Sequence, residues 1–289
     1  MKKQTRFEAL SAFLRSKRAA LQPEQAGLPA GSRRRTPGLR REEVAQLAGV
    51  STTWYTWLEQ GRDIQASPSV LDAIAGALRL SRDERSYMHA LAAGSHPIAA
   101  DIEGSGTAAA AVTQPIRRIL DELRFCPAIV SDRRCEIVGW NAAAAQVFLD
   151  FERIPVGQRN MIRLLFARQE LRRLAVNWEH FASGFLAIFR AYYGQYVGDD
   201  WYDRFLADMR AEYPQFEPLW QQSQVSSAPE VLLEFRHAKA GNMLFNLTSL
   251  TVSGGDSDLR MSVYTPVPDS LTEAKLRRLL ERSGSVLAE

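Results

Sequence analysis

"REEVAQLAGVSTTWYTWLEQG", residues 41–61, holds two short helical patterns separated by Gly49, Val50 and Ser51. An isolated helix shorter than about 12–15 residues is marginal in water, so tertiary packing must hold such a pair. In the first pattern Val44, Ala45, Leu47 and Ala48 recur near i, i+3 and i+4, leaving Arg41, Glu42, Glu43 and Gln46 to solvent. Gly49 suits a left-handed helix end, Val50 an apolar anchor, and Ser51 the N-cap of the second pattern. There Trp54, Tyr55 and Leu58 share the inward face, and Gly61 closes the helix.

A small residue, a glycine turn, an apolar anchor, then aromatics and leucine spell a helix-turn-helix. An ordinary αα-hairpin would show the same periodicity, but the flanks point to DNA. Residues 1–41 carry eleven lysines and arginines against Glu8 and Glu24, a net +9. The whole chain is only +3, so everything after Arg41 sums to −6. This asymmetry argues for a nucleic-acid-binding N-terminus. The run "SRRRTPGLRREE" places Arg33, Arg34, Arg35, Arg40 and Arg41 directly before the motif, where they would grip phosphates. Sequence would be read by the second helix in the major groove. Its outward positions are Ser51, Thr52, Thr53, Thr56, Trp57 and Gln60, with Arg62 just beyond. Threonine methyls suit thymine and glutamine suits adenine.

Three further helices complete the first domain. "RFEALSAFLRSKRAAL" buries Phe7, Leu10, Phe13, Leu14 and Leu21; "SPSVLDAIAGALRL" opens with a Ser67 cap and Pro68 and buries Val70, Leu71, Ile74, Ala75 and Leu78; "SRDERSYMHALAAG" opens with Ser81 and Glu84 spaced as a capping box. The expected architecture is an all-α five-helix DNA-binding domain over residues 1–93. "GSHPIAADIEGSGTAAAAVTQP" follows as a linker over residues 94–114, being small-residue-rich and poor in large apolar side chains. Its Gly104-x-Gly106 follows no strand and is not a phosphate loop.

From residue 115 to 289 the period changes. "PAIVSDRRCEIVGWN" predicts a hairpin turning at Asp132-Arg133-Arg134, and Asn141 predicts a cap for "AAAAQVFLDF". Apolar residues at threes and fours predict one long helix over about residues 167–193, and two shorter helices break at Pro214. "EVLLEFRHA", "NMLFNLTSLTV" and "LRMSVYTPV" read as closing strands. Hairpin, helical middle and three strands make an α+β domain with an antiparallel sheet.

The run "RRRTPGLRREEVAQLAGVSTTWYTWLEQGRDIQASPSVLDAIAGAL" resembles the DNA-binding domain of Xre-type regulators, and more closely its MmyB-like branch. At Trp57 it departs from a family that often carries a basic residue there. "VSDRRCEIVGWNAAA", "LAVNWE", "YPQFEPLW" and the closing strands are similar to the C-terminal part of MmyB-like regulators. That part is described as a PAS-like domain holding an apolar, fatty-acid-like ligand. The resemblance thus implies a DNA-binding transcription regulator with a PAS-like ligand domain. The residues add a candidate site. Phe148, Trp178, Phe181, Phe185, Phe189 and Tyr193 would line an apolar cavity, and Arg190 would meet a carboxylate head group. The same aromatics also fit a plain core. In that case the second domain would be a scaffold or an antitoxin-like repressor's dimerisation module.

Catalysis is not expected. Nucleophile elbow, HExxH, P-loop and Ser-x-x-Lys are all missing, and Glu179-His180 lacks the second histidine of a zinc helix. The two cysteines, Cys126 and Cys135, and the four scattered histidines fit neither a metal site nor a disulfide framework. Free thiols in a cytosolic protein are expected, with a redox pair across adjacent strands as the alternative. Nothing approaches the run of about 18 apolar residues that a membrane span needs, and the basic start lacks an apolar signal core. The expected setting is cytoplasmic. The expected partners are double-stranded DNA, an apolar small molecule such as a fatty acid, and a second copy of the chain. A single recognition helix reads only a few base pairs.

Overall fold

The computed structural model describes residues 5–29, 38–93, 112–222, 224–225, 231–252 and 259–286. Arg33, Arg34 and Arg35 and most of the expected linker lie outside them. In chain order the helices are α1 (Arg6–Ala20), α2 (Arg41–Ala48), α3 (Thr52–Glu59), α4 (Pro68–Ala77), α5 (Arg82–Ala93), α6 (Gln114–Glu122) and α7 (Ala142–Val147). They continue as α8 (Met161–Ala167), α9 (Gln169–Leu174), α10 (Trp178–Tyr193), α11 (Asp200–Glu212), α12 (Phe216–Gln221) and α13 (Thr272–Val286). The strands are β1 (Ala128–Ser131), β2 (Ile137–Trp140), β3 (Val231–His237), β4 (Gly241–Val252) and β5 (Leu259–Pro266). Two compact units result: Met1–Ala100 with Arg190–Ser227, and Asp101–Phe189 with Ala228–Glu289.

In the first unit the helix starts follow their capping residues. Thr5 and Glu8 exchange reciprocal bonds at α1, as do Ser81 and Glu84 at α5. The Ser51 and Ser67 hydroxyls accept from Trp54 N and Val70 N. Gly49 ends α2 with φ 66°, the left-handed conformation its lack of a Cβ allows. Leu10, Phe13, Leu14, Val44, Tyr55, Leu58, Leu71, Ile74, Met88 and Leu91 form the buried core. Some burial expectations fail. Phe7, Leu21, Val50 and Val70 are only half-buried, and Leu47 is 39% exposed, so the inward face of α2 is Val44, Ala45 and Ala48.

The second unit is an antiparallel sheet of order β2-β1-β5-β4-β3. Period-2 alternation gives it two apolar faces. Val130, Met261 and Val263 look toward Ile116 and Leu120 of α6. On the other face Phe235 and Tyr264 meet Phe148, Phe235 also meets Phe181, and Phe245 meets Phe235 and Tyr264. The long helix expected over residues 167–193 is in fact α9 and α10. Between them the chain turns to join β3: Ala175 bridges Phe235, and Val176 N donates to Glu234 O at 3.0 Å. Helix α13 is absent from the sequence reading, which stops at the last strand. Its Leu276 and Leu279 are buried, and the Thr272 hydroxyl accepts from Leu244 N at 2.9 Å.

Asn141 holds the hairpin to α7. Its Oδ1 accepts from Ala144 N at 2.9 Å, the expected cap, and from Ala128 N at 3.0 Å. Its Nδ2 donates to Leu123 O at 2.8 Å and Cys126 O at 2.9 Å. One buried amide thus uses two acceptor sites and both donors. The hairpin turn is set by the Asp132 carboxylate, which accepts from Arg134 N and Glu136 N, each at 2.9 Å.

Candidate functional site

The placement of α3 rests on a buried acid. Glu59 is 1% exposed at the last position of α3. Its carboxylate takes Arg18 Nε of α1 at 2.6 Å and Arg41 Nε of α2, so one side chain ties three helices. Arg18 also donates to Leu39 O at 2.7 Å, and the Ser11 hydroxyl donates to Glu59 O at 2.6 Å. Buried Tyr55 lies beside this cluster; desolvation, with the Glu59 charge second, raises its phenol well above the ordinary range. At Gly38, φ 75°, a Cβ would stand 2.4 Å from the carbonyl oxygens of Arg18 and Ala19. Only glycine lets the end of the basic run come this close to α1.

That clamp leaves the other face of α3 unburdened. Ser51, Thr52 and Thr53 are exposed at its first turn, where a recognition helix meets base edges. Ser51 spends its hydroxyl on the cap, and the Thr56 hydroxyl donates to Thr52 O at 2.7 Å. Trp57 is 39% exposed with the Arg62 guanidinium 5.3 Å from its ring centroid. Gln60 is exposed at the C-cap, and Arg40 is exposed at the N-cap of α2. Arg41, expected among the phosphate contacts, turns its Nε inward to Glu59 while its side chain stays 45% exposed. Sequence reasoning missed Glu59. The available signal was an acid directly after Leu58, on the face that Tyr55 and Leu58 bury.

The seven candidate ligand residues fall into two groups. Phe148, Trp178, Phe181, Phe185 and Phe189 belong to the second unit and are buried. Phe181 meets Phe185 and Phe235 edge-on, with centroids 5.4 and 5.3 Å apart. Phe148 meets Phe235 at 5.6 Å, and the Trp178 indole donates to Leu165 O at 3.0 Å. Arg190 and Tyr193 belong to the first unit, where they line a cavity of about 420 Å³. Ala9, Ala12 and Arg15 of α1, Tyr87 of α5, Arg210 of α11, and Glu217, Trp220 and Gln221 of α12 complete its wall. The Arg190 guanidinium lies 3.6 Å from the Trp220 ring centroid and donates to Trp220 O. Burial pulls it below the usual guanidinium range, against which Tyr87 partly holds it.

Cys126 and Cys135 are free thiols that burial pushes upward. Among the described residues no group of three or more His, Cys, Asp or Glu could hold a metal ion. No described helix is long and apolar enough to cross a membrane.

Comparison with known proteins divides the chain in sequence order, with residues 190–227 on the ligand-binding side although they pack in the first unit. A family model described as a helix-turn-helix domain matches residues 9–88. A second, the MmyB-like transcription regulator ligand binding domain, matches residues 112–280. No curated protein matches the chain. The outward face of α3 therefore belongs to a DNA-binding domain, and the sheet with its aromatic layer to a ligand-binding one. With over half its length matched by that ligand-binding domain, the chain belongs to the MmyB-like transcription regulators.

Proposed function

We propose that this DNA-binding transcription regulator recognises its operator as a homodimer in the cytoplasm, and that a fatty-acid-like molecule in the second unit tunes that recognition. The observation that carries the reading is the division of labour on α3. Its inward side is committed to Glu59, Tyr55 and Leu58, while Thr52, Thr53 and Gln60 are exposed. Arg33, Arg34, Arg35 and Arg40 supply phosphate contacts, with Thr53 and Gln60 reading bases and Ser51, Thr56, Trp57 and Arg62 at the edges of the contact. The aromatic layer of Phe148, Trp178, Phe181, Phe185 and Phe189 supports an apolar ligand. Such a ligand shifts operator affinity only by its differential affinity for two states, commonly about 1–3 kcal/mol or roughly five- to 150-fold.

Binding-site selection on random duplex DNA tests the first part. Thr53→Ala or Gln60→Ala should relax sequence choice at about 1–3 kcal/mol per lost base contact, while replacing Arg33, Arg34 and Arg35 by Ala should weaken all duplexes alike and flatten the salt slope. Unchanged sequence choice in both α3 variants refutes the assignment of that face. Mass spectrometry of an organic extract of the purified protein, followed by operator titration with the extracted compound, tests the second part. A stoichiometric lipid that changes operator affinity supports the sensor; no extractable compound supports a scaffold.

A further inference from the structure

The first unit holds a guanidinium that the DNA-binding role leaves unused. Arg190 is 6% exposed, and among the described residues no carboxylate pairs with it. Its partners are the Trp220 carbonyl and ring and the Tyr87 side chain. A buried charge without a counter-charge is costly, because neither water nor an anion offsets its desolvation. The one acid on the cavity wall is Glu217, and it is engaged: Arg210 Nε donates to it at 2.7 Å and Gln221 Nε2 at 3.0 Å. Arg15 adds a third guanidinium, so the wall carries three cations against one anion. Tyr193, 1% exposed on the same wall, has a buried hydroxyl with no hydrogen-bond partner. A free anion would answer both deficits.

We propose that this cavity binds a small organic carboxylate, with Arg190 as its anion-binding group and Tyr193 as a second donor. A planar carboxylate matches the guanidinium fork. Ala9, Ala12 and the rings of Tyr193 and Trp220 suit a short apolar or aromatic body rather than a bare inorganic ion. At about 420 Å³ the cavity sits at the lower end of the roughly 300–1,000 Å³ typical of small-molecule sites, which favours a compact metabolite. The site does not depend on the apolar ligand proposed above: its wall shares no residue with the layer of Phe148, Trp178, Phe181, Phe185 and Phe189, although its α10–α12 residues fall within the ligand-binding match.

Calorimetric titration of the full chain with benzoate, decanoate, benzamide and inorganic phosphate tests the proposal, with circular dichroism confirming the fold of each variant. Benzoate should bind saturably, and the uncharged isostere benzamide about tenfold more weakly or worse, because charge-assisted hydrogen bonds are lost. Arg190→Gln should weaken benzoate by at least about tenfold. Should that variant fail to fold, Tyr193→Phe, which removes one hydroxyl, should still weaken benzoate measurably. Absence of saturable binding by either carboxylate, equal binding of benzamide, tighter binding of phosphate, or unchanged benzoate affinity in a folded Arg190→Gln or Tyr193→Phe protein each overturns it. Decanoate that binds equally well to wild type and Arg190→Gln overturns this site while leaving the apolar-ligand reading standing.

Discussion

Replacing Glu59 by Gln removes the charge that holds three helices in one arrangement. The Glu59 side chain is fully buried, Arg18 is 11% exposed and Arg41 is 45% exposed. In Glu59→Gln the Arg41 guanidinium can turn into solvent at little cost. The Arg18 guanidinium cannot, because it is 11% exposed and its Nη1 stays bonded to Leu39 O. Breaking a buried pair by removing one partner costs about 3–5 kcal/mol. With one of the two arginines able to escape, the lower end, about 3 kcal/mol, is expected. For a unit of intermediate size each kcal/mol moves Tm by about 4 °C, so its transition should fall by about 12 °C in scanning calorimetry of the full chain. Hydrogen exchange should rise together in peptides from α2 and α3. Glu59→Gln combined with Arg18→Met should recover part of the loss, since no unpaired guanidinium then stays buried. A fall below about 2 °C in the single variant, or no recovery in the double, would refute the clamp.

Asn141→Ala strands two buried N–H groups and two carbonyls at once, and at about 1–3 kcal/mol per unsatisfied buried group should cost at least about 3 kcal/mol in urea denaturation. Asn141→Asp should also destabilise, because it keeps the bonds to Ala128 N and Ala144 N but loses both donors. Glu136 answers to pH. Burial raises its carboxyl from 4.5 to about 7, with Asn160 and Arg134 opposing and Asp132 adding to the rise. A folded pKa above the unfolded one means stability is fully present below about pH 4.5 and lost as pH rises through about 7, by at most about 3 kcal/mol. Glu136→Gln should therefore raise the second unit's Tm at about pH 8 and flatten its pH dependence, with Asp132, also raised by burial, carrying the remainder. An unchanged Tm–pH profile in that variant would contradict the assignment.

The sequence by itself determined the local grammar. Ser51, Ser67, Ser81 and Asn141 announced helix starts because capping is a contact between neighbours three residues apart. Gly49 announced the turn, and apolar spacing separated the helical half from the half with strands. The outward face of α3 followed from the same periodicity, since choosing its buried side leaves the other exposed. What the spacing could not reveal were contacts between distant residues. The spacing puts Glu59 on the buried face of α3 but does not name its partner, Arg18, 41 residues earlier. The break between α9 and α10 has no proline or glycine to mark it, because the cause is β3, over fifty residues later, claiming the backbone of Ala175 and Val176. The same limit split the candidate ligand residues. Phe189 and Arg190 are neighbours in one helix, yet the first is buried in the sheet-bearing unit and the second lies beside Tyr87 and Trp220. Helical periodicity sorts side chains by face, but only the assembled tertiary structure decides what that face meets.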